Sequence, residues 1–355
     1  MSTLLGATKP AGRFDFRSSA PLIMLVAIVL VASICLPGFR TFGNAMNVAR
    51  QASMIGLVSI GMGFVILSGG IDLSVGSTTA VAALLAAYLS NFSPVAAVAV
   101  PILAGITIGA INGGLITRMR IPPFIATLAT MSALRGLAFL ITPIMATSLQ
   151  APAETSAQPA VQSQIQIESH SEETKGTITT VSDGWFRNLN WGKIAGIPYF
   201  VLIFAFTLIA AIIVSMFTSF GRAVYAVGGN EEAARMMGLR VDRCKMIVYM
   251  IGGACAGAAG VLFAARIGSV RPDIGAGWEL EAIAAVVISG IALTGGIGRI
   301  GHIVYGVLIL GFIPNIINLM DFSVSTYTNQ LITGILLLAA VLLQAKIARS
   351  NSAGG

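Results

Sequence analysis

Charged side chains are scarce in this sequence: they make up 10% of its positions, against roughly 25% in soluble domains. With 56% apolar residues and a mean hydropathy of +0.88, no water-soluble fold could hide its apolar surface. The three cysteines, Cys35, Cys244 and Cys255, are too few and too scattered for a disulfide framework or a thiolate metal site. The two histidines, His170 and His302, have no cysteine or carboxylate cluster around them, which excludes a metal-dependent catalytic centre. No nucleophile with its base, no phosphate-binding P-loop and no pair of positioned carboxylates can be assembled. The chain therefore reads as a non-enzyme that binds no cofactor of its own, and any ATP-driven work would need its ATPase on another chain. Two-residue alternation is also missing. Stretches such as Val201 to Met216 are apolar on every side, which excludes a β-barrel.

What the sequence does have is one apolar run after another. Windows of about 19 residues place spans at 21–37, 48–68, 75–90, 94–116, 124–143, 197–218, 246–265, 280–294, 301–319 and 327–345, an all-α polytopic bundle of about ten spans. The leader 1–20 carries Lys9, Arg13 and Arg17 ahead of the run Pro21 to Leu36. That run is longer than a typical signal-peptide core and lacks a small-x-small cleavage site, so it is read as a retained span. An even count puts both ends on one side, and positive charge chooses the cytoplasm. Arg118, Arg120, Arg222, Arg235, Arg240, Arg243, Lys245 and Lys346 then fall inside with the leader, whereas most acids of the segment 147–193 fall outside. This bias accounts for the net charge of +7 without nucleic acid, which would need a clustered basic module. The organisation expected is a cytoplasmic leader 1–20, a membrane domain 21–345 and a cytoplasmic tail 346–355. Within the membrane domain, the polar loop 147–193 is periplasmic and the loop 219–245 is cytoplasmic. The periplasmic loop has no aromatic residue before Trp185 and is expected to lack a packed core, as a flexible tether or a docking surface for an external partner.

Function is sought where the apolar runs are interrupted. Ser68-Gly69-Gly70-Ile71-Asp72-Leu73-Ser74-Val75-Gly76 breaks one run with glycines that weaken a helix. Non-helical backbone at membrane depth is tolerated only where it is buried in protein or lines a cavity, and such breaks form binding sites in transporters. The competing reading is an ordinary turn at the inner surface, with Asp72 solvated there as a helix N-cap. An echo of Ile66 to Ile71 stands at Ala292 to Ile297, with Thr294-Gly295-Gly296 in place of Ser68-Gly69-Gly70, as a transporter repeat would show. Asn112, Arg135, Asn315 and Asn318 lie in or beside apolar runs, and Glu279 and Glu281 open another. Intramembrane polar groups face a bundle interior or a path; helix-to-helix hydrogen bonding serves equally for each Asn. The candidate translocation path is thus Ser68, Gly69, Gly70, Asp72, Ser74, Asn112, Thr294, Gly295, Gly296 and Asn315. Gly253, Gly257 and Gly260 make a smooth face for close helix approach.

The stretch Gly221 to Lys245 is the longest polar one on the cytoplasmic side between spans. It predicts a short helix capped by Asn230, with Glu231 and Glu232 at its positive end and Gly238 as its stop. A solvated connection with basic flanks is the plainer alternative.

Four blocks carry a family resemblance. The first two are Gly69 to Ser77 (GGIDLSVGS) and Arg120 to Leu128 (RIPPFIATL), the latter followed by Met131 and Arg135-Gly136. The third is Gly221 to Leu239, with Gly228-Gly229-Asn230-Glu231-Glu232-Ala233-Ala234-Arg235 at its centre, and the fourth is Trp278 to Val287 leading into Gly295-Gly296. Their order and spacing resemble the membrane permease subunit of bacterial ATP-binding-cassette importers for sugars of the ribose, xylose, arabinose and galactose type. The resemblance implies a multi-pass protein of the bacterial inner membrane, lipid around it, and a second permease copy, identical or a close paralogue. It also implies a cytoplasmic ATPase that holds ATP and Mg, and a periplasmic sugar-binding protein. The coupling helix that docks into the ATPase would lie in Gly221 to Leu239, and the coupling residues would be Arg222, Gly229, Asn230, Glu231, Glu232, Ala233, Ala234, Arg235 and Gly238. The loop Thr147 to Lys193 looks longer than this family carries there. Two alternatives remain: a permease for another small polar solute, such as a branched-chain amino acid or nucleoside, and a secondary transporter with Asp72 as its ion-coupling group.

Overall fold

The computed structural model describes residues 16–150, 179–180 and 184–320, together with Leu331, Gly334, Ile335 and Leu338. The helices are α1 (Phe16–Cys35), α2 (Phe42–Leu67), α3 (Val75–Leu89), α4 (Pro94–Thr117), α5 (Pro123–Gln150), α6 (Trp185–Trp191), α7 (Tyr199–Phe217), α8 (Ser219–Gly229), α9 (Glu231–Met236), α10 (Val241–Ile267), α11 (Trp278–Ile288) and α12 (Ile303–Leu319). Helices therefore stand at nine of the ten expected spans; the last, 327–345, lies outside the described residues apart from the four named. Six are long and apolar enough to cross a membrane: α2, α4, α5, α7, α10, and α12 with the 3-10 turn before it. The all-α membrane fold is clear.

One expected span is corrected. The apolar run 280–294 is not a full crossing, because α11 has 11 residues, about 17 Å of helix against a hydrocarbon core of about 30 Å. It stops at Ser289 because Gly290, at φ +89°, turns the chain into the left-handed region. The polar loop is corrected too. Its last part folds: Trp185–Trp191 is helical with Phe186 fully buried, and Lys193–Ile194 pairs antiparallel with Ile197–Pro198. Thr179–Thr180 pairs with Ser269–Val270 just beyond α10. Of the rest of the loop, 147–150 belong to α5, and 151–178 and 181–183 lie outside the described residues, as do the leader as far as Asp15 and the tail.

Helix α2 is the axis, buried continuously from Ala52 to Leu67. Helices α4 and α10 lie against each other backbone to backbone. A Cβ on Gly105 would stand 2.1 Å from the Gly253 carbonyl oxygen, and one on Gly109 2.2 Å from that of Tyr249. Gly257 faces Pro101 and Gly260 faces Thr79 and Ala82 of α3, so the expected smooth face is used on two sides. The outer faces carry exposed Ile34, Val95, Phe206 and Phe217, which an aqueous surface would not tolerate in such number and lipid does.

Candidate functional site

The chain between α2 and α3 is a built element. Gly69, at φ +80°, ends α2 in a two-bond cap: its N–H donates to Ile66 O at 2.9 Å, and the Gly70 N–H donates to Val65 O at 3.0 Å. The end of α11 repeats it, with Gly290 N–H to Val287 O at 3.0 Å and Ile291 N–H to Val286 O at 3.3 Å. Ser68 and Ser289, both buried, each donate from Oγ to the carbonyl three residues earlier, at 2.8 and 2.6 Å. The structural counterpart of Ser68-Gly69 is thus Ser289-Gly290. Thr294-Gly295-Gly296, which the sequence echo singles out, belongs to a turn beyond the helix, closed by Ala292 N–H to Ile297 O at 3.0 Å.

Asp72 is not a solvated cap. It is buried, and its Oδ1 accepts from the Ser74 N–H at 2.8 Å and the Ser74 hydroxyl at 2.7 Å. That hydroxyl accepts from Asn112 Nδ2 at 2.8 Å, and Asn112 Oδ1 accepts from Thr130 at 2.6 Å. The Thr127 hydroxyl accepts from Leu73 N–H at 3.1 Å, and the Tyr249 hydroxyl donates to Ile71 O at 3.2 Å. Helices α4, α5 and α10 therefore all hold the break through hydrogen bonds, which are costly to leave unmade in a buried setting. Asp72→Ala strips the acceptor from two Ser74 donors and is expected to cost about 1–3 kcal/mol, read as a lower thermal midpoint of the purified protein in detergent. Asp72→Asn keeps an acceptor oxygen and should retain transport; its abolition by Asn would favour an ion-coupling role.

Three glycine segments meet beside this network. The Gly296 N–H donates to Leu67 O at 3.0 Å. A Cβ on Gly228 would stand 1.8 Å from the same oxygen, one on Gly295 2.9 Å from the Gly69 N, and one on Gly296 2.6 Å from the Gly229 Cα. The C-terminal end of α8 is thereby wedged between the two breaks. The Tyr225 hydroxyl, whose pKa burial raises, stays protonated and donates to Gly298 O at 3.1 Å.

The ten candidate path residues do not line one cavity. Ser68, Gly70, Asp72, Ser74 and Asn112 are packed together; Gly69, Gly295 and Gly296 form the junction; Thr294 is exposed. Asn315 is elsewhere: it exchanges amide hydrogen bonds with Asn44 at 2.6 and 3.1 Å, 24 residues and about 36 Å of helix from Ser68. Arg135 donates to Pro272 O and Ile274 O at 2.8 and 2.7 Å, a tie between α5 and the chain before α11.

After the junction the chain turns straight into α9. Asn230 caps it, accepting from Ala233 N–H at 2.9 Å. Gly238, at φ +80°, ends it, with Leu239 N–H to Ala234 O at 3.1 Å. Glu231 pairs with Lys245 at 2.5 Å and Arg235 with Asp242 at 3.0 Å, so α9 is laced to the start of α10. The Asp242 hydrogen bond and charge raise the Arg235 pKa. Ala234 is fully buried, whereas Met236 and Met237 are 78% and 71% exposed. These two methionines escape a reading by charge pattern; the signal was an apolar pair beside a helix stop. Arg222 and Gly229 belong to α8.

This arrangement, with two glycine-capped helix ends and a charged helix following the junction, is accompanied by a clear kinship. Residues 44–341 match the family model described as branched-chain amino acid transport system / permease component. The chain belongs to this permease family. It is 36% identical over 327 residues to the ribose import permease protein RbsC of Escherichia coli K12, covering 92% of each chain, and 36% identical over 331 residues to that of Bacillus subtilis 168, again 92% of each. With the L-arabinose ABC transporter permease protein AraH of Azospirillum brasilense, the permease shares 34% identity over 331 residues, 90% of its own length and 86% of the relative's. No solved structure matches the permease. The kinship and the apolar helices make it a multi-pass protein of the inner membrane.

Proposed function

We propose that this permease forms the membrane path of an ATP-driven importer for a monosaccharide, delivered by a periplasmic binding protein and moved by ATP and Mg held on a separate cytoplasmic ATPase. The observation that carries the reading is the direct attachment of α9 to the glycine junction. A push on Glu231–Met236 reaches the end of α2 and the turn that follows α11 through backbone contacts at Gly228 and Gly229, with no compliant side chain between. The relatives' names, ribose and L-arabinose permeases, favour a sugar as cargo.

In this reading α9 and its flanking residues Arg222, Gly229 and Gly238 form the ATPase-facing surface. The Asp72, Ser74 and Asn112 network keeps the break in one shape while α8 moves against it. The path itself runs between this chain and a second copy, both surrounded by lipid, with about ten spans and both ends in the cytoplasm. Transport of a branched-chain amino acid is the second reading, favoured by the description of the matching family model. Co-purification tests the assembly: the tagged permease should retain a cytoplasmic ATPase subunit in detergent, and a permease that never retains one would refute the ATP-driven reading. Competition of labelled ribose uptake by L-leucine separates the two cargoes, and the sugar reading expects none.

A further inference from the structure

At the end of the bundle opposite α9, helices α2, α10, α11 and α12 enclose a cleft of about 550 Å³. The 18 residues of α10 from Lys245 to Phe263, about 27 Å of helix, separate it from the ATPase-facing surface. Its polar lining is Gln51, Arg266 and Glu281, and Trp278 and Phe263 stand in its wall with ring centroids 5.5 Å apart in an edge-to-face pair. None of the three polar side chains makes a hydrogen bond or ion pair among the described residues. Arg50, close enough to Arg266 for their charges to act on each other, stands over the Trp191 ring at 5.9 Å and has a buried Nε without a hydrogen-bond partner; Glu279, similarly close to Glu281, has a buried Oε2 without one.

Gln51 is exposed and Arg266 and Glu281 are half-buried, so their hydrogen-bonding groups are open to a ligand that enters the cleft. Here they supply donors from Arg266, acceptors from Glu281 and both from Gln51, next to an indole. The set is balanced in charge, which argues against a bare ion. A neutral ring bearing several hydroxyls meets all of it: each hydroxyl donates and accepts, and the ring's C–H face packs on the aromatic wall. Pockets of this kind, part apolar and with a few convergent polar groups, are the usual form of a small-molecule site. An amino acid would use Arg266 for its carboxylate and Glu281 for its ammonium but would leave Gln51 idle.

We infer that this cleft is a monosaccharide subsite, held by Gln51, Arg266, Trp278 and Glu281, where cargo first enters the permease. The inference rests on the sugar-importer reading above and adds the site of entry. Its test uses the permease reconstituted in proteoliposomes with its ATPase and binding protein, with labelled D-ribose and L-arabinose as probes. Glu281→Gln and Trp278→Leu should each lower uptake at sub-saturating sugar by about tenfold or more, while the variants still co-purify with the ATPase. Should a variant fail to assemble, the fluorescence of Trp278 in a Trp185→Phe, Trp191→Phe background gives a second readout, with a saturable change expected on adding either sugar to the purified permease. Wild-type uptake of a pentose together with unimpaired variants, or with no fluorescence change, overturns the subsite and leaves the importer standing. Failure of the wild type to take up either sugar overturns both. A saturable response to L-leucine and none to the sugars overturns the sugar as occupant.

Discussion

Gly228→Ala is expected to reduce ATP-driven uptake to background, although alanine is by about 1 kcal/mol the better helix former and Gly228 lies within α8. The added methyl would stand 1.8 Å from Leu67 O and 2.7 Å from Gly296 N. Both are backbone atoms, so no rotamer relieves the overlap; α8 must withdraw from the junction. Withdrawal opens the contact at Gly295 and strains or breaks the 3.0 Å bond from Gly296 to Leu67, each buried polar group left unmet costing about 1–3 kcal/mol. The helix-propensity gain is smaller than that loss. A glycine away from the junction supplies the control: a Cβ on Gly136 of α5 meets nothing within 4 Å, so Gly136→Ala should transport near the wild-type rate. Equal damage from both substitutions would mean that general helix rigidity, not the junction, carries the stroke.

Charging the tip of α9 should sever the permease from its motor. Met236→Glu with Met237→Glu replaces two exposed, pliable apolar side chains, of the kind that adapts to a partner's groove, by carboxylates that docking would strip of water. Retention of the ATPase in pull-down should fall by about tenfold or more, while insertion and thermal midpoint hold, because neither residue packs into the bundle. Glu231 and Arg235 act differently. They fasten α9 to Lys245 and Asp242, pairs that salt weakens, so their alanine variants should lose docking relative to the wild type most at low ionic strength, with the gap closing as salt rises. Pull-down across a salt series measures this.

Local signals in the sequence were dependable where a single turn of chain decides the structure. Asn230 caps and Gly238 ends α9 as the residue types require, and Gly253 and Gly257 admit a neighbouring backbone. Apolar runs located helices but overran at 280–294, since Ser289 and Gly290 interrupt the pattern too briefly to register in a window of about 19 residues. What could not be read was pairing at a distance. Nothing local shows that Ser74 joins Asn112 to Asp72. The partners of Gly253, at Gly105 and Gly109, and the meeting of Gly69, Gly228 and Gly295, are likewise tertiary facts. Ser68 and Ser289 form equivalent caps, yet the written echo ran to Thr294, because sequence likeness follows residue letters and the caps follow left-handed glycines.

The central claim, that this chain is the path and another chain the motor, is tested most directly by uptake of labelled ribose into proteoliposomes that hold the permease, ATP and Mg. Uptake should appear only when both the ATPase and the sugar-loaded binding protein are present, and should survive an ionophore. Uptake by the permease alone, or uptake abolished by the ionophore while ATP remains, would contradict it.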